Sequence, residues 1–216
     1  MHAIPDFFPS DTSRESLLAA QKLVADYVIA EDDFGELRLI AGVDQAFLDD
    51  KIISGIVVLK FETLEVVERV YSIQFVNYPY IPTFLSFREG PAIVSTFKKL
   101  KNPPDILLVD GAGIATHIGV ALNVPTIGIT KKILCGTGEQ PTEVGEAKPL
   151  VYEGKNVGWL LKSTKRSRAI VVAPGHRVSL ESSLSIVRAC LQGNKLPEPA
   201  RLAHGYVNEL KKKKSE

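Results

Sequence analysis

Apolar residues recur with a helical period near the start of this chain and with strand-like spacing further on. Residues 12–29 carry one apolar stripe of period 3.6, and Thr12 with Glu15 forms a capping-box pattern at its start. The pattern predicts a helix, which lies within an N-terminal helical extension of residues 1–36.

Residues 37–75 change to three strand-like runs joined by short polar turns: LRLIAGVD, ISGIVVLKF and EVVERVYSIQF. Strands with such short connections pair in antiparallel fashion. Residues 77–85 contain two prolines and predict a rigid loop, because proline fixes φ. The next segment, SFREGPAIVSTFKKLK, has a helical pattern.

Strand and helix patterns then alternate. PDILLVD and VPTIGITKK predict buried strands on either side of a helix at GAGIATHIGVALN, which is typical of a parallel βαβ unit. A hairpin over residues 149–163, another strand and two helices complete the pattern. The predicted fold class is α/β, with a mixed sheet of three antiparallel strands and then parallel βα units, flanked by helices. This architecture resembles the ribonuclease H-like fold.

Composition narrows the class of protein. A chain of 216 residues with 45% hydrophobic and 24% charged residues suits a single domain, which we expect to be monomeric. We expect no membrane contact, since no apolar run is long enough to span a bilayer. With two cysteines and no secretion-signal pattern, a cytoplasmic location is expected. Residues 211–216 are rich in lysine and are expected to be a disordered tail.

Two aspartates follow buried strand patterns and are the first candidates for chemistry. Asp44 ends the run IAGVD and Asp110 ends ILLVD. An ionised carboxylate beside an apolar core is costly unless something compensates its charge, and divalent cations do so. If the two strands are neighbours, both carboxylates lie at one edge of the sheet. The alternative is that each aspartate only starts a turn.

Other candidates are weaker when taken singly. Glu89, at the start of a predicted helix, is either a third acid or a surface residue favoured by the helix dipole. Tyr80, in the proline-rich loop, can wedge into a base stack or simply pack against its neighbours. His176 and His204 are candidate general acids, although a lone histidine is more often structural.

The segment GAGIAT resembles a dinucleotide-binding loop, G-x-G-x-x-G. However, Thr116 stands at the third glycine position, and about 20 residues further on the chain has Lys131 and Lys132 where such a site needs an acid. This disfavours binding of a dinucleotide cofactor. Gly111 and Gly113 can instead let the backbone approach a base or a phosphate closely.

Taken in order, AGVD, PYIPTFLSFREGP, PDILLVDGAGIA, THIGVALNVPTIGITKK, APGHRVSL and LPEPARLAH resemble the Endonuclease V family over residues 38–208. The PYIP to FREG block is highly specific. The resemblance, best to archaeal and bacterial members, implies a ribonuclease H-like fold and dependence on Mg²⁺, which Mn²⁺ can replace. It implies a DNA repair enzyme whose partner is DNA with deaminated bases, chiefly deoxyinosine. The second phosphodiester bond 3′ to the lesion is cut, leaving a 3′-hydroxyl and a 5′-phosphate.

The resemblance also implies roles for individual polar residues. Asp44, Glu89 and Asp110 would be metal ligands and catalytic residues. His204 matches the catalytic histidine of the family, and Lys131 matches a lysine near its active site.

The parts that contact the base are implied in the same way. Tyr80 matches the wedge tyrosine, and Leu85 and Gly111, with Thr83 and Gly113 nearby, fall where the base pocket of the family lies.

The chain departs from the family pattern after its second aspartate. The family usually reads D-G-H-G-I-A-H-P-R, whereas here Ala112 replaces the first histidine. The second histidine, the arginine and the residues around them are missing before Thr116. That loop contacts nucleic acid in the family, so its loss bears on substrate choice. Two alternatives stay open: an inosine-specific endoribonuclease and a nucleic-acid-binding module without catalysis.

Overall fold

An eight-stranded mixed sheet, covered on both faces by helices, forms the computed structural model, which describes residues 7–215. In chain order the strands are β1 (Leu39–Leu48), β2 (Lys51–Lys60), β3 (Val66–Phe75), β4 (Ile106–Asp110), β5 (Thr126–Thr130), β6 (Ala147–Tyr152), β7 (Lys155–Leu161) and β8 (Ile170–His176). The helices are α1 (Arg14–Asp26), α2 (Leu85–Phe97), α3 (Ala112–Leu122), α4 (Leu180–Ala189) and α5 (Glu198–Ser215). The expected mixed sheet with flanking helices is confirmed.

The strands lie in the order β3-β2-β1-β4-β5-β8-β7-β6. As predicted, β1, β2 and β3 form an antiparallel meander, and β4 and β5 continue the sheet in parallel with β1. Strand β8 is antiparallel to β5, and the hairpin β6–β7 pairs with it through β7. Strand β1 therefore pairs in antiparallel fashion with β2 on one side and in parallel with β4 on the other. Through this pairing β1 and β4, which lie far apart in the sequence, become neighbours.

Strand β1 does not end at Asp44, so the interpretation of Asp44 as a strand end is wrong. The strand continues to Leu48 because β2 pairs with it along its whole length. On its other side, pairing with β4 stops after Val43 and Val109. Asp44 and Asp110 are the next residues along the two strands, so they lie side by side at the point where β4 ends.

Both faces of β1 are buried, which explains its nearly unbroken apolar run. Ile40 packs into the cluster beneath α4 and α5, whereas Ala41 and Val43 pack beneath α2 and α3. Successive strand residues point to opposite faces. Asp44 therefore faces α5, and the next residue, Gln45, faces α2.

Helix α5 crosses β1 closely at Gly42. A Cβ atom at this position would overlap the carbonyl oxygen of Pro199, at the start of α5. Glycine therefore permits an approach of two backbones that any side chain would prevent. This contact fixes the beginning of α5 over the strand and brings His204, further along the helix, to Asp44.

The two ends of the chain differ in part from what the sequence predicted. The N-cap of α1 is Ser13 rather than Thr12, and its Oγ accepts a hydrogen bond from the N–H of Ser16 at 3.2 Å. Residues 211–215 continue α5 instead of forming a disordered tail, since lysine favours helix and Lys213 pairs with Glu209 at 2.7 Å. Residues 1–6 of the extension and residue 216 of the tail lie outside the described residues. Within the described part, no helix is long and apolar enough to cross a membrane.

Candidate active site

A cleft of about 330 Å³ opens beside the end of β4. The three acids expected at the active site all line it: Asp44 from β1, Glu89 from the second turn of α2 and Asp110 from the last position of β4. The fold thus brings these three carboxylates, which are distant in the sequence, to one place.

Burial and like charge both act on the acids of the cleft. Loss of solvent, followed by the charges of Asp110 and Asp44, raises the pKa of Glu89 to about 7. The pKa of Asp110 is also raised, first by burial and then by Asp44, and the positive charges of Lys131 and His204 partly oppose this rise. The cleft therefore holds more negative charge than its surroundings compensate, and it favours a cation.

The donor set of the cleft fits a hard divalent ion. Three carboxylates provide oxygen ligands, which Mg²⁺ and Mn²⁺ prefer. Within residues 7–215, no group of three or more His, Cys, Asp or Glu side chains is already drawn together as a metal cluster. Burial first, and then repulsion by neighbouring carboxylates, raises the pKa values of Glu89 and Asp110. A divalent cation would remove this repulsion, so the residues fit such an ion.

His204 is anchored to the cleft by a charged partner. Its Nδ1 lies 2.6 Å from Oδ2 of Asp44, and the other oxygen of Asp44 accepts the N–H of Gln45 at 2.8 Å. With an ionised Asp44, Nδ1 carries the proton and donates it. The bond orients the half-exposed imidazole so that Nε2 is the nitrogen able to exchange a proton with a bound molecule.

The segment after β5 forms another side of the cleft. Lys131 is exposed, and its positive charge acts on Asp110. The hydroxyl of Thr130 donates to the carbonyl oxygen of Lys132 at 2.5 Å, which turns the chain just after the strand. Leu134 follows at the mouth of the cleft with 77% of its surface exposed. A cation and an exposed apolar side chain thus stand next to the acids.

The proline-rich loop before α2 is tied down at several points. Arg88 donates from Nη1 to the carbonyl oxygen of Tyr78 at 2.5 Å, and the hydroxyl of Tyr78 donates to Pro9. Gln21, on α1, donates from Nε2 to the carbonyl oxygen of Thr83 at 2.7 Å. Tyr80 nevertheless remains 69% exposed. The backbone of the loop is therefore held by hydrogen bonds, while the aromatic side chain of Tyr80 projects into solvent.

A second, larger cavity of about 640 Å³ adjoins the acidic cleft. Its lining includes the five residues expected to bind the substrate: Tyr80, Thr83, Leu85, Gly111 and Gly113. Gly111 has a φ of 114°, which lets the chain turn from β4 into α3 within one residue. The structure thus places the expected substrate-binding residues together and next to the acids.

Sequence reasoning missed several residues of the site. Gln45 and Phe47 line the acidic cleft with Leu134, and both belong to the part of β1 beyond Asp44. Extending that strand through its hairpin and applying the alternation of faces would have identified them. His176 is absent from the cleft, because its Nδ1 accepts the N–H of Ile29 at 3.2 Å in a buried structural contact.

Comparisons with known proteins show which family the sequence and the fold resemble. The sequence model of the Endonuclease V family matches residues 22–205. Endonuclease V of Dictyoglomus thermophilum is 41% identical over 201 residues, covering 89% of this chain and 88% of that protein. The crystal structure of the Bacillus subtilis Endonuclease V superposes with a TM-score of 0.91 at 28% identity, covering 98% of this chain and 97% of that one.

A more distant structure has the same fold. It is the Ciona intestinalis Endonuclease V in complex with a 23mer DNA containing an inosine followed by a ribo-adenosine. Its TM-score is 0.83 at 23% identity, and the match covers 95% of this chain and 99% of that one. The family expected from the motifs is therefore confirmed over most of the sequence and over the whole sheet. This chain belongs to the Endonuclease V family and is an endonuclease.

Proposed function

We propose that this protein is a DNA repair enzyme that hydrolyses the second phosphodiester bond 3′ to deoxyinosine, leaving a 3′-hydroxyl and a 5′-phosphate. The observation that carries the proposal is a cleft lined by Asp44, Glu89 and Asp110 next to a cavity large enough for a base. The inosine-containing DNA held by the Ciona protein supports the choice of substrate.

Asp44, Glu89 and Asp110 would hold Mg²⁺, which Mn²⁺ can replace. When bound, such an ion neutralises charge on the scissile phosphate and favours the ionisation of water. The high negative charge of the cleft, expressed in the raised pKa values of Glu89 and Asp110, supports this assignment.

His204 and Lys131 would act directly on the phosphodiester. The contact with Asp44 keeps a proton on Nδ1 of His204, so that Nε2 can hold or move a proton at the reacting oxygen atoms. The ammonium group of Lys131 would contact the phosphate. Its effect on the pKa of Asp110 supports a position next to the reacting centre.

Tyr80 would occupy the gap left when the damaged base leaves the stack, since it is exposed on a loop fixed by hydrogen bonds. The extruded base would then rest against Thr83, Leu85, Gly111 and Gly113, which line the adjoining cavity.

Cleavage of a defined oligonucleotide tests the function. A duplex with one deoxyinosine, incubated with Mg²⁺ or Mn²⁺, should be nicked at the second bond 3′ to the lesion. Asp110→Ala should lower the rate by about 10³-fold or more, because it removes a ligand and half of the Asp44–Asp110 pair. Asp26→Asn, an exposed change on α1, is the matched control and should cut normally.

The same assay separates the alternatives. Absence of a nick above the unmodified duplex in both metals rejects the proposal, and tight binding without a nick identifies a binding module. Faster cleavage of an inosine-bearing RNA than of the DNA identifies an endoribonuclease.

We further propose that residues 1–216 act as one domain, as a monomer and in the cytoplasm. The continuous sheet, which uses strands from both halves of the chain, supports a single domain.

A further inference from the structure

The cavity beside the acidic cleft extends beyond the residues proposed to contact the base. We call this extension the α1 chamber. Its wall is formed by residues of α1, of the segment just after α1 and of the first turns of α3, namely Gln21, Val24, Ala25, Val28, Thr116 and His117.

The cavity is too large for a single unmodified base. Its volume is about 640 Å³, and pockets of roughly 300–1,000 Å³ usually hold drug-sized ligands, which are much larger than a purine. Helix α3 begins at Ala112, two positions after Asp110, so no loop between β4 and α3 occupies the space. A base resting against Leu85 and Gly111 therefore leaves the α1 chamber unfilled.

The lining of the chamber selects an uncharged, apolar occupant. Among the described residues that line the cavity, none is Lys, Arg, Asp or Glu. Burial lowers the pKa of His117 to about 4, so its ring is neutral near pH 7. A phosphate group would find no opposite charge there, and desolvating it would be costly.

The polar side chains of the wall already have hydrogen-bond partners. Gln21 donates to Thr83, as described above, and Thr116 donates from Oγ1 to the carbonyl oxygen of Ala112 at 3.2 Å. Nε2 of His117 lies 2.7 Å from the carbonyl oxygen of Phe7. The surface that remains for a ligand is thus largely that of Ala25 and Val28, above the buried side chain of Val24.

The cavity that includes the α1 chamber is continuous with the acidic cleft. Leu85, Gly111, Ile114 and Leu134 line both spaces. A base held at these residues can therefore have its own strand at the carboxylates and a substituent directed away from them, toward α1.

We propose that the α1 chamber receives an apolar substituent carried by the extruded base, so that the enzyme also cuts DNA next to purines bearing alkyl or aryl adducts. This inference rests on the proposed function and uses the same hydrolysis: water attacks the phosphorus, the 3′ oxygen leaves, and the proton of the water passes to the leaving oxygen. The adduct itself is not altered.

Four duplexes of one sequence provide the test, with deoxyinosine, N6-benzyl-deoxyadenosine, N2-benzyl-deoxyguanosine or no modification at the central position. At least one benzyl duplex should be nicked with a kcat/KM within about tenfold of that for deoxyinosine, since filling an apolar pocket is worth at least this factor. The unmodified duplex should remain intact.

Ala25→Trp places a large ring in the chamber from an exposed position on α1. It should lower kcat/KM for the benzyl duplex by about tenfold or more while changing that for deoxyinosine by less than about twofold. Lys22→Trp is the matched control, because Lys22 is exposed on the same helix and does not line the cavity. It should cut all substrates like the wild type.

The outcomes are distinct. Cleavage at deoxyinosine without cleavage at either benzyl base overturns the inference and leaves the proposed function standing. If the wild type cuts neither the deoxyinosine duplex nor a benzyl duplex, the proposed function is overturned. Equal slowing of both substrates by Ala25→Trp would show that the chamber holds part of every substrate, and no slowing would show that the adduct lies elsewhere; either result contradicts the assignment.

Discussion

At the scale of single residues, Glu89 destabilises the metal-free fold in a pH-dependent way. Its pKa is about 7 in the folded protein against an ordinary value of 4.5. Between these two values the folded state binds more protons at Glu89 than the unfolded chain does, so the free energy of unfolding falls as pH rises. The penalty is absent below pH 4.5 and complete above about pH 7.

Glu89→Gln should therefore stabilise the protein without metal. We expect its free energy of unfolding at pH 8 in a chelator to exceed that of the wild type by on the order of 2–3 kcal/mol, because each pKa unit corresponds to about 1.4 kcal/mol. At pH 4 the two proteins should have the same free energy of unfolding. Glu89→Gln should also lose cleavage activity. Urea unfolding at both pH values measures the stability difference, with the exposed change Glu36→Gln as control. Equal stability at pH 8 would contradict the assigned pKa.

At the scale of elements, the site depends on how closely α5 lies on β1. Gly42 permits the contact with Pro199, and Asp44, two residues further along the strand, meets His204 of the same helix. A side chain at Gly42 must push the start of α5 away, and the imidazole moves with the helix.

Gly42→Ala should destabilise the fold by about 1–3 kcal/mol through overpacking. It should also reduce kcat/KM by about tenfold or more, since small misplacements of a catalytic group are costly. Gly205→Ala on the same helix is the control, because a Cβ there meets nothing within 4 Å. This control should gain about 0.5–1 kcal/mol and cut normally. Thermal unfolding and steady-state cleavage report both effects, and wild-type cleavage by Gly42→Ala would refute the role of this contact.

At the scale of the whole molecule, the apolar pattern predicted the sheet and its helices, because each helix buries one apolar stripe and the central strands, buried on both faces, form nearly continuous apolar runs. The sequence predicted neighbouring positions for Asp44 and Asp110 only on the condition that their two strands are neighbours, and the parallel pairing of β1 with β4 meets that condition. The extension of β1 beyond Asp44 is not marked by the apolar run of β1 itself, and it becomes visible only when β1 is paired with β2 through the turn that joins them.

The α1 chamber could not be predicted from the sequence. It exists because α1 packs against α3, with Val24 next to Val120 in one cluster, and contacts between segments so distant in sequence leave no periodic signal. The helical end of α5 was missed for a different reason: a lysine run is compatible both with a solvated helix and with a frayed tail.

The central claim is that Asp44, Glu89 and Asp110 share one divalent cation. Anomalous diffraction from crystals grown with Mn²⁺ tests it most directly. We expect an anomalous peak within coordination distance, about 2.1 Å, of a carboxylate oxygen from each of the three residues. A peak at another place, or no peak in the cleft at saturating Mn²⁺, would contradict it.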